Sequence, residues 1–464
     1  MKRWVLSFFI LLNFVPMVLT NGQVTGEQKI NYTPSKEECA FLDSVQYYSF
    51  QFFINEVNFK NGLMKDRSAE ASPASIAATG FAIPIWALGS EKGWMSRDSA
   101  VQITLNLFRF LLNSEQSTDD SATGYQGFYY HFLDMKTGKR IWNCELSSID
   151  TGLLLAGIRF AKQFYTLKNT KEIEIRYLAD ALTKRINWSF FEIKTNGPYK
   201  HTISLGWDKK NGFNSLGWWG YTEALFLYVL SAGAEMPNVD KGYSAWLNFY
   251  QWREPYGKGS GHVVFPALFV HQFSLLWIDF RNIYDSYMAA KKIDYFENSR
   301  RATYVQRKYA IDNPNGWIGY DSLTWGLSAC DGPDGRYNFD GKEFFGYSAR
   351  GTSGPDSTFD DGTIAPYASA SSIPFAPEIC IPTLYSMYQR YANKGLWRKY
   401  GFVDSFNLTV NWFDRDVLGI DQGPMLLMIE NYKSGFVWKY LMKDELVQNG
   451  LKRLGFSELN FPCK

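Results

Sequence analysis

The chain has 464 residues, of which 46% are apolar, 20% charged and 17% aromatic, with a net charge of +2. These proportions describe a packed globular protein and exclude a disordered one. With 48 basic against 46 acidic residues and no basic tract, the chain offers no electrostatic footprint for nucleic acid.

The N-terminus reads as an export leader over residues 1–22: Lys2 and Arg3, an apolar stretch over 4–19, then Thr20, Asn21 and Gly22. A secreted or periplasmic protein is the expectation, with no membrane span, because the apolar stretch is short and no second long one follows. Residues 23–464 are expected to form a single domain and a monomer. From Cys39 the pattern turns helical, with Phe41, Val45, Tyr48 and Phe52 on one face. Further helices are predicted over 73–88, with Pro84 as a kink or break, and over 98–112. Residues 124–140 read as a hairpin. Helices resume over 147–165, 171–186, 221–232, 243–250, 269–280, 287–310, 379–391, 425–433 and 444–454. The Gly-, Pro- and Ser-rich span 313–377 reads as a long loop, a kind of segment that usually carries function. The fold class is therefore all-α, with paired helices closed into a ring and a cleft built from the connecting loops.

Acidic residues recur within Gly- and aromatic-rich segments, a setting that suits a sugar cleft. Rings stack on pyranose faces while carboxylates handle protons and hydroxyls. Glu223 follows Trp218, Trp219 and Tyr221 and opens an apolar stretch, so desolvation would raise its pKa and suit it to general-acid work. The structural alternative is a first-turn Glu on its own helix dipole. Asp421, between Ile420 and Gln422-Gly-Pro424, is the leading candidate for the base; a helix N-cap is the alternative role, and Asp361 is the rival base. Glu145 and Asp150 are candidates for binding sugar hydroxyls, although Ser147 or Ser148 with Asp150 also fits a capping box. Trp142, Trp219, Tyr221 and Trp325 are candidate sugar-contacting rings, with Trp277 assigned to the core. Arg350 is a candidate for orienting carboxylate or sugar, along with Arg281, Arg300 and Arg301, although the 295–303 run also reads as an ion-pair helix.

Five scattered Cys and four His, without His-x-x-x-His or Cys-x-x-Cys, give no zinc site. Gly257-Lys-Gly-Ser-Gly261 lacks the Gly-Lys-[Ser/Thr] spacing of a phosphate loop. No cofactor is expected.

Eight segments in order resemble the glycoamylase-like domain family, and specifically the β-1,2-glucan hydrolases of glycoside hydrolase family 144. They are Trp142-Asn-Cys-Glu-Leu-Ser-Ser-Ile-Asp150-Thr, Gly220-Tyr-Thr-Glu223-Ala, His271-Gln-Phe-Ser-Leu-Leu-Trp-Ile-Asp-Phe-Arg281, Asp294-Tyr-Phe-Glu-Asn-Ser-Arg-Arg-Ala-Thr303, Trp325-Gly-Leu-Ser-Ala-Cys-Asp-Gly-Pro333, Asp360-Asp-Gly-Thr-Ile-Ala-Pro366, Pro374-Phe-Ala-Pro-Glu378, and Gly419-Ile-Asp-Gln-Gly-Pro424 with Met428-Ile-Glu-Asn-Tyr-Lys-Ser-Gly435. The resemblance runs from about Cys39 to the C-terminus. It implies an (α/α)6 toroid, an inverting mechanism and β-1,2-linked glucan as substrate, with sophorose or short oligosaccharides as products. The alternatives are a non-catalytic sugar-binding protein of the periplasm and a glucosidase acting on another linkage. Three neighbours of the acids depart from the family pattern: Thr222 where Asn is usual, Leu275 where His is frequent, and Cys330 where Ser is common. They leave chain-end versus mid-chain cleavage open.

Overall fold

The computed structural model describes residues 32–458; the leader and Cys463 lie outside them. Fifteen α-helices dominate the described residues. Through much of the chain, partly exposed helices alternate with helices buried on nearly every side. The buried set comprises Ile76–Glu91, Ser148–Phe164, Leu225–Gly233, Phe273–Trp277, Pro366–Ala370 and Gly419–Ser434. Lys36–Asn55, Arg97–Asn113, Thr170–Arg185, Val239–Leu247, Tyr295–Asp312 and Pro377–Tyr391 precede, separate and flank them. Helix 76–91 packs on helices 148–164 and 419–434, helix 225–233 on 148–164 and 273–277, and helix 366–370 on 419–434. Gln272 joins 273–277 to 366–370 by donating to the Ala368 carbonyl (2.6 Å) and Ser372 Oγ (2.8 Å).

Two glycines set the closest of these crossings. A Cβ on Gly157 would lie 2.3 Å from the Gly80 carbonyl oxygen, and one on Gly80 would lie 2.6 Å from the Leu153 oxygen. Backbone therefore packs directly on backbone between helices 76–91 and 148–164, and this fixes the height at which Asp150, in the first turn of the second helix, meets the cleft.

The all-α expectation needs correction in its detail. Short strands, none longer than three residues, build the loops between helices. Five of them form one antiparallel sheet in the order Gly124–Tyr125, Phe128–Tyr130, Leu146–Ser147, Gly206–Asp208, Gly212–Phe213. The predicted hairpin over 124–140 is the start of this sheet, and its Phe132–Leu133 strand turns away to pair with Ala74–Ser75.

Other differences have local causes. Helix 76–91 runs through Pro84, because burial of residues 76–89 outweighs the lost hydrogen bond. The predicted 287–310 helix is two, Ser286–Lys291 and Tyr295–Asp312. Lys292 stops the first at φ +59°, and the Asp294 side chain caps the second. The long 313–377 span is ordered by three short strand pairings and the 366–370 helix.

Candidate active site

A cavity of about 390 Å3 opens where the N-terminal ends of several buried helices meet, and both Glu223 and Asp421 line it. Asp150, His131, Asp66 and Arg67 share the lining with Phe132, Tyr347 and Tyr367. A second hollow of about 470 Å3 shares His131, Ile149 and Asp150 with the first and adds Glu145, Trp207 and Trp218. A third of about 360 Å3 shares Leu205 and Trp218 with the second and adds Trp219, Tyr221 and Phe249. The three share lining residues in series and so form a groove, with carboxylates in the first two hollows and tryptophans in the last two, an arrangement suited to a chain-like ligand.

Glu223 sits in the turn just before helix 225–233, not in its first turn, and its carbonyl accepts a hydrogen bond from Ser274 Oγ at 2.7 Å. Burial raises its pKa to about 7, with the Asp150 charge adding to the effect. Asp421 lies in the first turn of helix 419–434. It is not the cap, since the helix begins at Gly419 after Leu418, which makes no side-chain capping bond. Burial pushes its pKa to about 7, opposed by hydrogen bonds from Asp404 and Tyr367.

His131, unflagged by the sequence, organises the acids opposite. Its Nδ1 is 2.9 Å from Glu145 Oε1 and its Nε2 3.6 Å from Asp150 Oδ1. Burial alone would lower its pKa, but the Asp150 charge and the Glu145 hydrogen bond raise it to about 9, so the ring is an imidazolium at neutral pH. The same bond, against the opposing effect of burial, holds Glu145 below its usual range. Asp150 is pushed upward by burial, with the His131 charge opposing. Ser147 caps helix 148–164 through the Asp150 N–H at 3.2 Å and also donates its hydroxyl to the Asp150 carboxylate. Ser147 is therefore the cap, and the Asp150 carboxyl, which accepts the Ser147 hydroxyl, belongs to the cleft.

His131, Glu145 and Asp150 are close enough to hold a metal, with candidate ligand atoms within 4.8 Å of one another. An ion bound there would have to displace the proton that His131 holds between the two carboxylates. Asp331, Asp404 and Asp414 converge equally closely. Asp66 and Arg67 also escaped sequence reasoning, because nothing in Lys65-Asp-Arg-Ser68 marks them. A single bridge from Arg67 to Leu418 brings this segment beside Asp421, and Arg67 Nη1 donates to Asp331 Oδ2 at 2.7 Å.

The candidate rings divide. Trp142 is 67% exposed at φ +55°, a backbone region tryptophan seldom occupies, and packs against Phe132 of the cavity wall at 5.3 Å. Trp219, half-exposed, lines the far hollow, and Tyr221 lies there almost wholly buried. Trp325 lies outside the groove: it is 1% exposed and donates its indole N–H to Thr383 Oγ1 at 2.8 Å. Trp277 is core, stacked on Phe81 at 5.5 Å. Arg300 and Arg301 pair with Glu378 and Glu297, in keeping with the ion-pair helix.

Arg350 and Asp361 also lie outside the lining. They form a fully buried bidentate pair, with Nε to Oδ1 and Nη2 to Oδ2 both 2.7 Å, while Arg350 also donates to the carbonyls of Cys330 and Phe345. The pair braces the segment that presents Ala329, Tyr347 and Ala349 to the cavity. Asp361→Ala would leave an uncompensated buried guanidinium and is expected to cost about 3–5 kcal/mol; thermal unfolding of the purified variant measures the loss.

The glycoamylase family model, described as "Putative glucoamylase", matches residues 215–445. A curated relative, the exo β-1,2-glucooligosaccharide sophorohydrolase (non-reducing end) of Parabacteroides distasonis, is 27% identical over 448 residues, covering 89% of this chain and 57% of its own length. The chain thus spans little more than half of that protein. The crystal structure of a "putative glucoamylase" from Bacteroides uniformis is 31% identical with a TM-score of 0.78, covering 92% of this chain and 99% of its own. An endo-β-1,2-glucanase from Chitinophaga pinensis, solved with sophorotriose and glucose, shares the fold at 24% identity and a TM-score of 0.76, over 92% of this chain and 99% of its own. Matched along nearly its whole length by the B. uniformis relative, the chain belongs to the glycoamylase family.

Proposed function

We propose that this chain is a glycoside hydrolase that cleaves β-1,2-glucan by inversion, with Glu223 as general acid and Asp421 as general base. The observation that carries this reading is the meeting of the two acids in one cavity, each with its pKa raised to about 7. Inversion requires a protonated carboxyl at the leaving oxygen and an ionised one that activates water on the opposite face. The choice of linkage rests on the names of the P. distasonis and C. pinensis relatives. Glu145, Asp150 and His131 would hold sugar hydroxyls, with Trp142 and Trp219 as stacking faces along the groove. Arg350, a sequence candidate for orienting carboxylate or sugar, and Asp361, the rival base and a candidate sugar contact, act in this reading through the loop they brace, and Trp325 through the core.

The same reading takes residues 23–464 as one domain closed into an (α/α)6 ring, with helix 419–434 packed back on helix 76–91. It also takes the protein as an exported monomer. None of the described helices is long and apolar enough to cross a membrane.

The test is product release from linear β-1,2-glucan, with laminarin and starch as controls. Sophorose or short β-1,2-gluco-oligosaccharides are expected from the first and little from the others. Release from starch but not from β-1,2-glucan would overturn the linkage. Binding of β-1,2-glucan without any cleavage would instead indicate a sugar-binding protein.

A further inference from the structure

Behind Asp421 lies a group of carboxyls that the chemistry just proposed does not use. Asp404, 2% exposed, comes from the loop between the short strands 401–402 and 406–407. Its Oδ2 accepts the Asp331 backbone N–H at 2.7 Å, and its Oδ1 is buried with no partner. Asp421, 3% exposed, has the same defect: its Oδ2 is buried with no partner. The two carboxyls adjoin, each acting on the other's titration. A carboxylate only accepts, so two facing carboxylates would leave both oxygens unsatisfied and both charges opposed. One proton between them removes both problems.

Other groups around the pair do not supply that proton. Asp331 and Asp66 add negative charge, and Cys330 and Tyr347 lie close by; Asp414, its carboxyl pushed upward by burial and by the Asp404 and Asp331 charges and its Oδ2 buried with no partner, clusters with Asp404 and Asp331. The Tyr367 hydroxyl has a single proton, for which Ser328 Oγ at 2.7 Å and the Ala329 carbonyl at 2.8 Å compete with Asp421. Arg67, a cation in the same cavity lining, is committed to Asp66 and Asp331, and Arg350 to Asp361.

We propose that Asp404 remains protonated and donates its proton to Asp421, making it the positioning residue that keeps the Asp421 carboxylate ionised and aimed into the cavity. Asp421 would then be free to accept a proton from water, while the Asp404 proton stays in place; the proton gained by Asp421 leaves to solvent after the product. The inference rests on Asp421 being the base.

The test compares Asp404→Leu, close in size but without a donor, with Asp404→Asn, whose amide can still donate to Asp421 while its carbonyl accepts from Asp331. Asp421 must be ionised to act as base, so activity falls as pH drops through its pKa. Losing the donor should move the acid limb of the kcat profile upward by about one pH unit or more, and Asn should return it close to wild type. If Asp404 were instead an ionised neighbour repelling Asp421, both variants would move the limb downward. That result, or superimposable profiles, would overturn the proposal.

Infrared difference spectra give a readout that does not depend on catalysis or on the Leu variant folding. At a pH above the limb, wild type minus Asp404→Asn should show one protonated-carboxyl stretch, and its absence would overturn the proposal. A wild-type limb that moves on adding EDTA would mean that a cation holds the cluster instead, and would also overturn it. Should Asp421→Asn prove active, the assignment of the base fails, while the infrared band still reports on the shared proton.

Discussion

Glu223→Gln is expected to keep the fold and bind substrate while losing turnover by on the order of a hundredfold or more, the usual cost of removing a general acid. The side chain sits in the turn ahead of an apolar helix and is held by backbone, since Ser274 Oγ bonds its carbonyl. The swap of carboxyl for amide therefore disturbs little packing. Burial raises the pKa to about 7. An acid works only while protonated, so activity carried by Glu223 should fall as pH rises through that value. The amide does not titrate, so the variant should lose this alkaline limb along with most of its rate. Circular dichroism and substrate affinity should stay near wild type. Turnover within a few-fold of wild type would remove Glu223 from the chemistry.

How far the site could be read in advance depended on where each residue's partners lie in the chain. Glu223 could be found because its setting is local: the aromatics before it and the apolar run after it are sequence neighbours. Asp421 could be found as a candidate, but its cap reading was settled only by the helix starting at Gly419. Arg350 and Asp361 sit eleven residues apart in a loop-like stretch, and nothing in that stretch separates a sugar-binding arginine from one buried against its own loop. Trp325 is similar, because its partner Thr383 is 58 positions away. His131 was invisible for a related reason. A lone histidine in Tyr-Tyr-His-Phe, between two short strands, carries no motif, and only the sheet that sets Tyr130 opposite Leu146 brings it beside Glu145. The helices were legible where their apolar period was long, and failed where cap chemistry broke a continuous pattern, as at Lys292 to Asp294. The short strands were missed because two-residue pairings between loops leave no alternation to read.

Asp421→Asn is expected to be as damaging as Glu223→Gln, and for a complementary reason. The carboxylate must be ionised to take a proton from water, and its raised pKa of about 7 makes it a strong base for its type. Activity should fall as pH drops through that value, so the two acids together predict a narrow optimum near neutrality. The amide cannot take the proton from water, but its carbonyl oxygen can still accept the Asp404 hydroxyl, so a buried hydrogen bond is kept and the fold should hold. Added azide should partly restore turnover, since the ion attacks the anomeric carbon without needing a base. The first product from β-1,2-glucan should carry the α configuration, as in-line attack by water requires. Early-time NMR reads that configuration directly. A β product would mean retention through a covalent intermediate, with the second carboxylate as nucleophile. Near-normal activity in Asp421→Asn would move the base to Glu145 or Asp150, two further carboxylates along the groove. Asp361 is the weakest substitute, because both its oxygens are already committed to Arg350.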